Sequence, residues 1–320
     1  MADSITVLAP GLLTTLQDAG RYGYQASGFS PAGAMDYPAM RTANLLVGNS
    51  PDMPVLEMTL AGLSCEFNCD CVFAMTGARM DAKLNGRPCK RYRTQRAAEG
   101  DVLTVGSALL GCRGYLAIGG GFDVSPVMGS CATSLKFGLG GFDGKKLSAG
   151  DVLKLQTPGV PYRKRTAKVP WHLRKDRSYF GDIHIRCVLG PQEEAFTAEG
   201  LRTFLSAPYK VTPASDRMGI KLEGAQIEAK DGYDIISDGI AMGCVQVPAS
   251  GMPIVMMADR QTTGGYTKIA TVITPDLHHL AQLKPGDTVT FHAVSADEAR
   301  KLYRAYIQKL RKEEYDFLRF

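Results

Sequence analysis

The sequence of 320 residues contains no long apolar run and no cationic leader. A helix that crosses a bilayer needs about 20 consecutive apolar residues, and no stretch approaches that length. The first ten residues carry Asp3 but neither lysine nor arginine, so they match neither a signal peptide nor a transit peptide. We therefore expect a cytoplasmic protein that has no membrane contact.

Paired cysteine motifs are also lacking. The eight cysteines are scattered, unlike the dense frameworks of small secreted domains, and this predicts reduced thiols. Cys65, Cys69 and Cys71 lie close together, but neither a second C-x-x-C pair nor the histidines of a zinc site accompany them. The cysteines and apolar residues of 65–75 fall on odd positions, which is the period of one strand face. We predict buried thiols there and assign no metal.

Charge and nucleotide motifs exclude further classes. The formal net charge is +5, which is too small to imply nucleic acid, so we expect no nucleic-acid partner. The segment 138–146 resembles a phosphate-binding loop, yet Leu139 stands where a Walker A loop has its first glycine, and Lys146 stands where it has a hydroxyl. No Met-Lys-Met motif, whose lysine carries biotin in biotin-dependent enzymes, occurs in the sequence. We therefore expect no biotin attached to this chain.

What the sequence does contain is glycine, at 35 residues, and many short apolar runs bounded by Gly, Asp and Asn. Such runs predict a mainly β fold. A Gly-Asp pair precedes an alternating run three times, at positions 100, 150 and 286. Strands are predicted at residues 5–8, 55–59, 71–75, 102–105, 115–118, 152–155, 183–189, 219–222, 245–247, 254–257, 269–273 and 288–293.

Few helices are predicted. Residues 36–47 have an acidic start, an early proline and a Gly-Asn stop, and 193–205 and 276–283 are shorter candidates. A terminal helix begins with a capping box of Ser295 and Glu298.

The length exceeds what one core usually supports, so two domains are expected. We predict a β domain at 1–160, a basic, proline-containing linker at 161–178, a second β domain at 179–294 and the C-terminal helix at 295–320. The lysines and arginines of the linker are interpreted as a solvated surface.

Polar residues crowd among glycines in two places beside predicted strands. One place is 14–21 with 30–36, and the other is 215–219 with 259–268. A Gly-Gly pair lets a backbone approach a ligand, and nearby hydroxyl, carboxamide and basic groups supply donors to a carboxylate or phosphate. A polar hairpin loop without a ligand is the other interpretation, and the chemistry alone leaves both open.

A series of motifs runs through the chain in a consistent order. They are Thr-Thr-x-Gln-Asp-x-Gly-Arg (14–21), Gly-Ala-Met-Asp (33–36), Ala-Asn-x-Leu-Val-Gly-Asn (43–49), Leu-Glu-x-Thr (56–59), Gly-Gly-Gly-Phe-Asp-Val (119–124), Arg-Met-Gly-Ile-Lys-Leu (217–222), Gln-Val-Pro (246–248), Gln-Thr-Thr-Gly-Gly-Tyr (261–266) and Leu-Lys-Pro-Gly-Asp (283–287). This series resembles the family of the 5-oxoprolinase C subunit, which is KipA-like and includes allophanate hydrolase subunit 2 and biotin-dependent carboxyltransferase domains. One departure is Asp216, where the family more often has Asn.

The resemblance implies two cyclophilin-like β-barrel domains and a hetero-oligomer with the B subunit, which is KipI-like, and with the A subunit. Such complexes use ATP to cleave 5-oxoproline to L-glutamate. The resemblance implies an ATP site, with or without Mg, that this chain shares with the partner subunit. Two alternatives stay open. One is half of a biotin-dependent carboxyltransferase of the urea carboxylase type, and the other is a non-catalytic KipA-like regulator that binds a KipI-like partner.

Opening a lactam with ATP calls for cations near the transferred phosphoryl group and donors for the substrate carboxylate. We therefore predict Lys268 and Arg217 as stabilisers of anionic oxygens and Asp259 as a base or orienting carboxylate. For each candidate residue, the alternative is a purely structural role, such as hydrogen bonding within a loop or an ion pair between Asp18 and Arg21. The residues predicted to bind the substrate are Gln261, Thr262, Thr263, Gly264, Gly265 and Tyr266, with Gln17, Asp18 and Arg21 from the first domain.

Overall fold

The computed structural model describes residues 3–156, 167–169 and 183–318. These residues form two compact units. Unit 1 contains residues 3–22, 32–156, 167–169 and 310–318, and unit 2 contains residues 23–31 and 183–309. The predicted linker at 161–178 lies largely outside the described residues, so the limits of the predicted domains stay a prediction.

Unit 1 is built on one curled sheet that forms half a barrel. The order of its described strands is β2-β3-β8-β4-β1-β9, while β5 pairs with β8 and carries β6 and β7. The runs predicted at 102–105 and 115–118 are the two ends of a single strand, because an irregular ladder to β5 holds the glycine-containing middle in place. The strands are β1 (Ser4–Ala9), β2 (Leu13–Gln17), β3 (Val55–Thr59), β4 (Ser64–Phe67), β5 (Cys71–Leu84), β6 (Arg87–Pro88), β7 (Thr94–Ala97), β8 (Val102–Ile118) and β9 (Val152–Lys154).

Strand β5 separates two apolar clusters of unit 1. Because alternate side chains of a strand point to opposite faces, Phe73 and Met75 join the larger cluster inside the curl. Val72 and Ala74 join a second cluster, packed against helix α1 (Tyr37–Val47). The predicted buried face of 65–75 is therefore confirmed, and all eight cysteines of the chain are free thiols.

Helix α1 begins and ends where the sequence predicts. The carboxylate of Asp36 accepts a hydrogen bond from the Ala39 N–H at 3.0 Å, and Pro38 lies in the first turn. Gly48 ends the helix with φ of 84°, a left-handed conformation that is unfavourable for residues with a side chain.

Unit 2 is a closed β-barrel. The order of its strands is β10-β17-β11-β12-β15-β14-β16, and β16 pairs with β10 to close the ring, which leaves β13 paired with β16 outside it. The predicted mainly β class is thereby confirmed. The strands are β10 (Ile183–Leu189), β11 (Tyr209–Val211), β12 (Gly219–Gly224), β13 (Asp234–Gly239), β14 (Cys244–Val247), β15 (Ile254–Met256), β16 (Thr263–Val272) and β17 (Thr288–Ala293).

Two short helices belong to unit 2. Helix α2 (Ala198–Ser206) packs Phe204 on Phe291 of β17 with ring centroids 4.6 Å apart. The predicted helix at 193–205 is therefore shorter than expected, because Thr197 is extended and caps α2 through its hydroxyl. Helix α3 (Leu277–Ala281) lies within the predicted range 276–283.

The C-terminal helix α4 (Ala296–Leu318) passes from unit 2 into unit 1. The Ser295 hydroxyl accepts a hydrogen bond from the Glu298 N–H at 3.2 Å, as expected for a helix start. Near its end, Glu314 binds Arg41 of α1 at 2.8 Å. The segment 23–31 is held in unit 2 in a similar way, because the Ser30 hydroxyl donates to the Arg260 carbonyl at 2.6 Å.

The three predicted Gly-Asp turns share one geometry across both units. Each aspartate carboxylate accepts a hydrogen bond from the N–H three residues earlier, at 2.8 Å for Asp101, 2.7 Å for Asp151 and 2.9 Å for Asp287. The preceding glycines have φ of 85°, 89° and 95°, a region that favours glycine.

Candidate functional site

The polar segment 261–266 runs into a strand instead of forming a loop. Strand β16 begins at Thr263, whereas the sequence pattern predicted only its second half. Gly264 and Gly265 do not have positive φ, because β13 pairs with them and places Asp238 opposite Gly264. Glycine has a weak strand preference, so the sequence pattern did not show this pairing. The glycine pair therefore provides space for neighbouring side chains and not a nest of N–H groups.

Arg217 and Asp259 form a buried ion pair in unit 2. The Nε and Nη2 atoms of Arg217 each donate to a different carboxylate oxygen at 2.9 Å, and the two side chains are 6% and 12% exposed. The Asp259 N–H also donates to the Arg217 carbonyl at 2.9 Å. Such a two-pronged pair fixes the orientation of both groups.

Asp216, the departure from the family pattern, closes the turn before β12. Its Oδ1 accepts hydrogen bonds from the Met218 N–H at 2.7 Å and the Gly219 N–H at 3.2 Å. The Oδ1 of an asparagine accepts the same bonds, so this turn requires no carboxylate.

Lys268 is buried in β16, and its ammonium group is directed toward β13. Its Nζ donates to the carboxylate of Asp238 and to the Gly239 carbonyl at 3.1 Å. Its backbone N–H donates to the Gln192 carboxamide oxygen at 3.1 Å. The hydrogen bond from Lys268 lowers the pKa of the exposed Asp238 carboxyl.

We expect the Asp238 carboxyl to titrate below its ordinary value of 3.8, because the Lys268 ammonium stabilises its charged form. The stabilisation from this pair is present above that ordinary value and is lost as the pH falls through the lowered pKa. In a Lys268→Met variant, the pKa of Asp238 should return toward 3.8. Carbon-13 NMR of the side-chain carboxyl measures both, and identical titration curves would contradict the assignment.

Gln246 is a polar residue to which the sequence analysis gave no role. It lies in β14, is buried, and its Nε2 donates weakly to the Tyr266 carbonyl at 3.4 Å. A Cβ atom placed on Gly264 would lie 3.0 Å from Gln246 Nε2 and 3.2 Å from Gln261 Nε2. Two carboxamides thus meet beside Gly264. The available signal was a single polar residue in an otherwise apolar buried strand.

The backbone of Gly239 and Ile240 connects these groups. Gly239 accepts the bond from Lys268, the Ile240 carbonyl accepts from Arg260 Nε at 3.0 Å, and the Ile240 N–H donates to the Thr262 carbonyl at 2.9 Å. Unit 2 therefore brings the predicted Lys268 and 261–266 together around one short stretch of chain.

The predicted residues of unit 1 are buried among hydrogen bonds of the fold. Gln17 donates to the Thr133 carbonyl and accepts from the Gly33 N–H, both at 3.1 Å. Arg21 donates to three carbonyls of the segment 127–133 at 2.9, 3.3 and 3.0 Å. These contacts match the structural alternative, and a place for either residue in a substrate-binding wall stays a prediction.

Asp18 holds the same segment through three hydrogen bonds. Its Oδ1 accepts from the Gly20 N–H at 2.8 Å and from the Ser130 hydroxyl at 2.7 Å, and its Oδ2 accepts from the Cys131 N–H at 2.6 Å. The carboxylate thus ties the chain after β2 to the segment that follows β8.

An Asp18→Asn variant is expected to lower the free energy of unfolding by about 2 kcal/mol, because its amide group would face the Cys131 N–H donor. Urea denaturation at neutral pH measures this change. The matched control is Asp123→Asn, since Asp123 is exposed, and a change within about 0.5 kcal/mol is expected there. Equal stability of the two variants would show that the Asp18 hydrogen bonds contribute little.

Residues 27–293 match the family described as carboxyltransferase domain, subdomain A and B, and the chain belongs to this family. It is 39% identical over 297 residues to the 5-oxoprolinase C subunit of Escherichia coli, covering 93% of each chain. It is 38% identical over 301 residues to the same-named protein of Haemophilus influenzae, covering 93% of this chain and 94% of that one. The crystal structure of Kluyveromyces lactis urea amidolyase superposes with a TM-score of 0.90 at 30% identity, over 99% of this chain and 20% of that longer chain.

No helix in the described part of the chain is long and apolar enough to span a bilayer. Within that same part, no group of three or more His, Cys, Asp or Glu side chains is arranged to hold a metal ion.

Proposed function

We propose that this chain is the C subunit of an ATP-dependent 5-oxoprolinase, a hydrolase that cleaves 5-oxoproline to L-glutamate together with an A subunit plus a KipI-like B subunit. Near-complete coverage carries the proposal, since 93% of this chain aligns with 93% of the Escherichia coli protein at 39% identity. Because these relatives are subunits of a larger enzyme, we expect this chain to be active only when its partner subunits are present.

The two cations of unit 2 have different roles in this proposal. Arg217 is held by both oxygens of Asp259, so Asp259 acts as the orienting carboxylate and Arg217 as a cation that stabilises an anionic oxygen. On substrate binding, the Lys268 ammonium leaves Asp238 and binds an anionic oxygen of the substrate. Because Asp238 is exposed, breaking this ion pair costs little free energy.

The carboxamides of Gln246 and Gln261 suit an amide substrate. A carboxamide offers both an N–H donor and a carbonyl acceptor, which complement the C=O and N–H of a lactam. Both Nε2 atoms pack against Gly264, so the two carboxamide groups lie close together and a substrate carbonyl that reaches them would accept from both. We propose Gln246 as a substrate-binding residue together with Gln261.

ATP supplies the phosphoryl group that activates the lactam oxygen. The fit of ATP to the described residues of unit 2 is poor, because Gly264 and Gly265 are not in a nest conformation and so do not gather their N–H groups around a phosphate. We propose that the partner subunit provides most of the ATP site, with Mg if a metal is used.

Co-expression with the partner subunits tests the proposal. Release of ADP stimulated by 5-oxoproline, together with formation of glutamate, is expected in the complete complex and absent when this chain is omitted. Equal glutamate formation with and without this chain would overturn the proposal.

A Lys268→Met variant of the complex is expected to lose about tenfold in turnover, because one charge-assisted hydrogen bond to the substrate is lost. The matched control is Lys221→Met, since Lys221 is an exposed lysine of β12. Coupled-enzyme measurement of ADP compares the two. Full turnover in Lys268→Met would remove Lys268 from the catalytic group.

The second candidate is half of a biotin-dependent carboxyltransferase. The family match and the TM-score of 0.90 to a urea amidolyase favour it. This function requires a biotin-bearing partner, bicarbonate and urea. Avidin separates the two candidates, because it should abolish turnover of urea by such a complex but leave cleavage of 5-oxoproline unchanged.

A further inference from the structure

A basic cavity opens on unit 1 between β5, the segment that follows β6, and β8. Its volume is about 470 Å³, within the range of small-molecule pockets. Five cationic side chains line it, against a single carboxylate. The cations are Arg79, Lys90, Arg91, Arg93 and Lys168, and the carboxylate is Asp81.

The backbone explains why these charges gather. Along β5, Arg79 and Asp81 are exposed, whereas Met80 and Ala82 point into the core. The Cys89 N–H donates to the Ala82 carbonyl at 2.8 Å, which folds the next segment over the strand.

A second backbone pairing completes the cavity. Arg93 forms a β-bridge with Lys168, and the Val169 N–H donates to the Tyr92 carbonyl at 2.9 Å. The basic run at 161–178, which the sequence analysis interpreted as a solvated surface, therefore contributes Lys168 to the cavity.

The positive charge of the basic cavity is not balanced within the described structure. Asp81 forms an ion pair with Lys83 outside the cavity at 3.2 Å, so its charge is already shared. Among the described residues, Arg79, Lys90, Arg93 and Lys168 form no ion pair with a carboxylate. Like charges held around one concave surface raise the local potential and attract anions.

We propose that the basic cavity binds a small anion that carries two or more phosphate groups, as pyrophosphate and nucleoside polyphosphates do. Arginine forks match the geometry of phosphate oxygens, and several cations without a carboxylate partner suit a multiply charged ligand. A volume of this size fits a small molecule better than a duplex nucleic acid, which requires an extended surface. Leu109, which is 61% exposed, gives the cavity an apolar wall. The proposal involves none of the candidate catalytic residues and does not depend on the proposed function.

Isothermal titration calorimetry of the full chain tests the proposal with pyrophosphate, ATP and AMP, without Mg and at low salt. Pyrophosphate and ATP are expected to bind at one site, with AMP about tenfold weaker or more. Raising the salt to about 0.5 M should weaken binding, because ions screen partly exposed charges. Tighter binding of ATP than of pyrophosphate would identify a nucleotide ligand, and equal binding would identify the phosphate groups alone.

Three variants locate the site. The double variant Arg79→Gln with Arg93→Gln should bind at least about tenfold more weakly. Lys154→Gln, a matched loss of an exposed lysine from β9, should bind as the native protein does. Asp81→Asn removes the carboxylate of the cavity and should bind more tightly, which keeps the proposal testable if the double variant does not fold.

Three results would overturn the proposal. They are the absence of binding of both pyrophosphate and ATP, unchanged binding in the double variant and in Asp81→Asn, and binding of an oligonucleotide or acidic peptide when neither small anion binds. The last result would assign the surface to a macromolecule.

Discussion

Replacing Asp259 by alanine is expected to lower the free energy of unfolding by about 3 to 5 kcal/mol, because the guanidinium of Arg217 would stay buried without its carboxylate. Both side chains are almost fully enclosed, at 6% and 12% exposure, so water compensates little of the loss. Urea denaturation at neutral pH, with the midpoint and slope fitted separately, measures the change.

A double variant shows whether charge or packing is responsible. Arg217→Met combined with Asp259→Leu removes both charges and keeps similar volume, so most of the lost stability should return. If that protein is stable but the reconstituted complex is inactive, the pair acts in catalysis as well as in folding. A loss below about 1 kcal/mol in Asp259→Ala would instead mean that water reaches the guanidinium.

Replacing Gly264 by alanine is expected to lower turnover of the complex about a hundredfold with little loss of stability, because misplacing substrate-binding groups by about 1 Å has effects of that size. The new Cβ would lie 2.7 Å from Ile240 Cδ1, 3.0 Å from Gln246 Nε2 and 3.2 Å from Gln261 Nε2. All three atoms are ends of flexible side chains, so they can move aside while the strand persists. Steady-state kinetics and thermal unfolding together measure the two effects.

Gly265→Ala is the matched control for this variant. Its new Cβ would meet only the Ile235 carbonyl at 3.3 Å and the Ser237 hydroxyl at 3.9 Å, away from both carboxamides. Turnover should remain within about threefold of the native complex. Equal losses in the two variants would show that the backbone of the strand matters and that the carboxamides do not contact the substrate.

Much of the fold was predictable because apolar alternation marks strands that have a buried face. Residues 55–59, 183–189 and 288–293 were predicted with the bounds of β3, β10 and β17. The first half of β16 was not predicted, because its Gly264 and Gly265 carry no apolar pattern. The pairing with β13 makes residues 263–266 part of the strand, and pairing is a long-range property.

The candidate site was predictable in residue types but not in partners. The polar segments 215–219 and 259–268 identified Lys268, Arg217 and Asp259, yet Asp238 lies 30 residues from Lys268, and Arg217 lies 42 residues from Asp259. No local pattern joins residues so far apart. Gln246 lay within a recognised motif, but its proximity to Gln261 depends on the absence of a side chain at Gly264.

The path of the chain limits how this protein can be divided. Residues 23–31 belong to one unit although unit 1 precedes and follows them, and residues 310–318 return to unit 1 after the whole of the barrel. Cleavage within 161–178 would therefore leave residues 23–31 on the amino-terminal fragment, without the rest of unit 2. The Arg260 carbonyl of the carboxy-terminal fragment would lose its hydrogen bond from the Ser30 hydroxyl. Two fragments that fold independently would require a circular rearrangement of the sequence that joins residues 23–31 to unit 2 and residues 310–318 to unit 1.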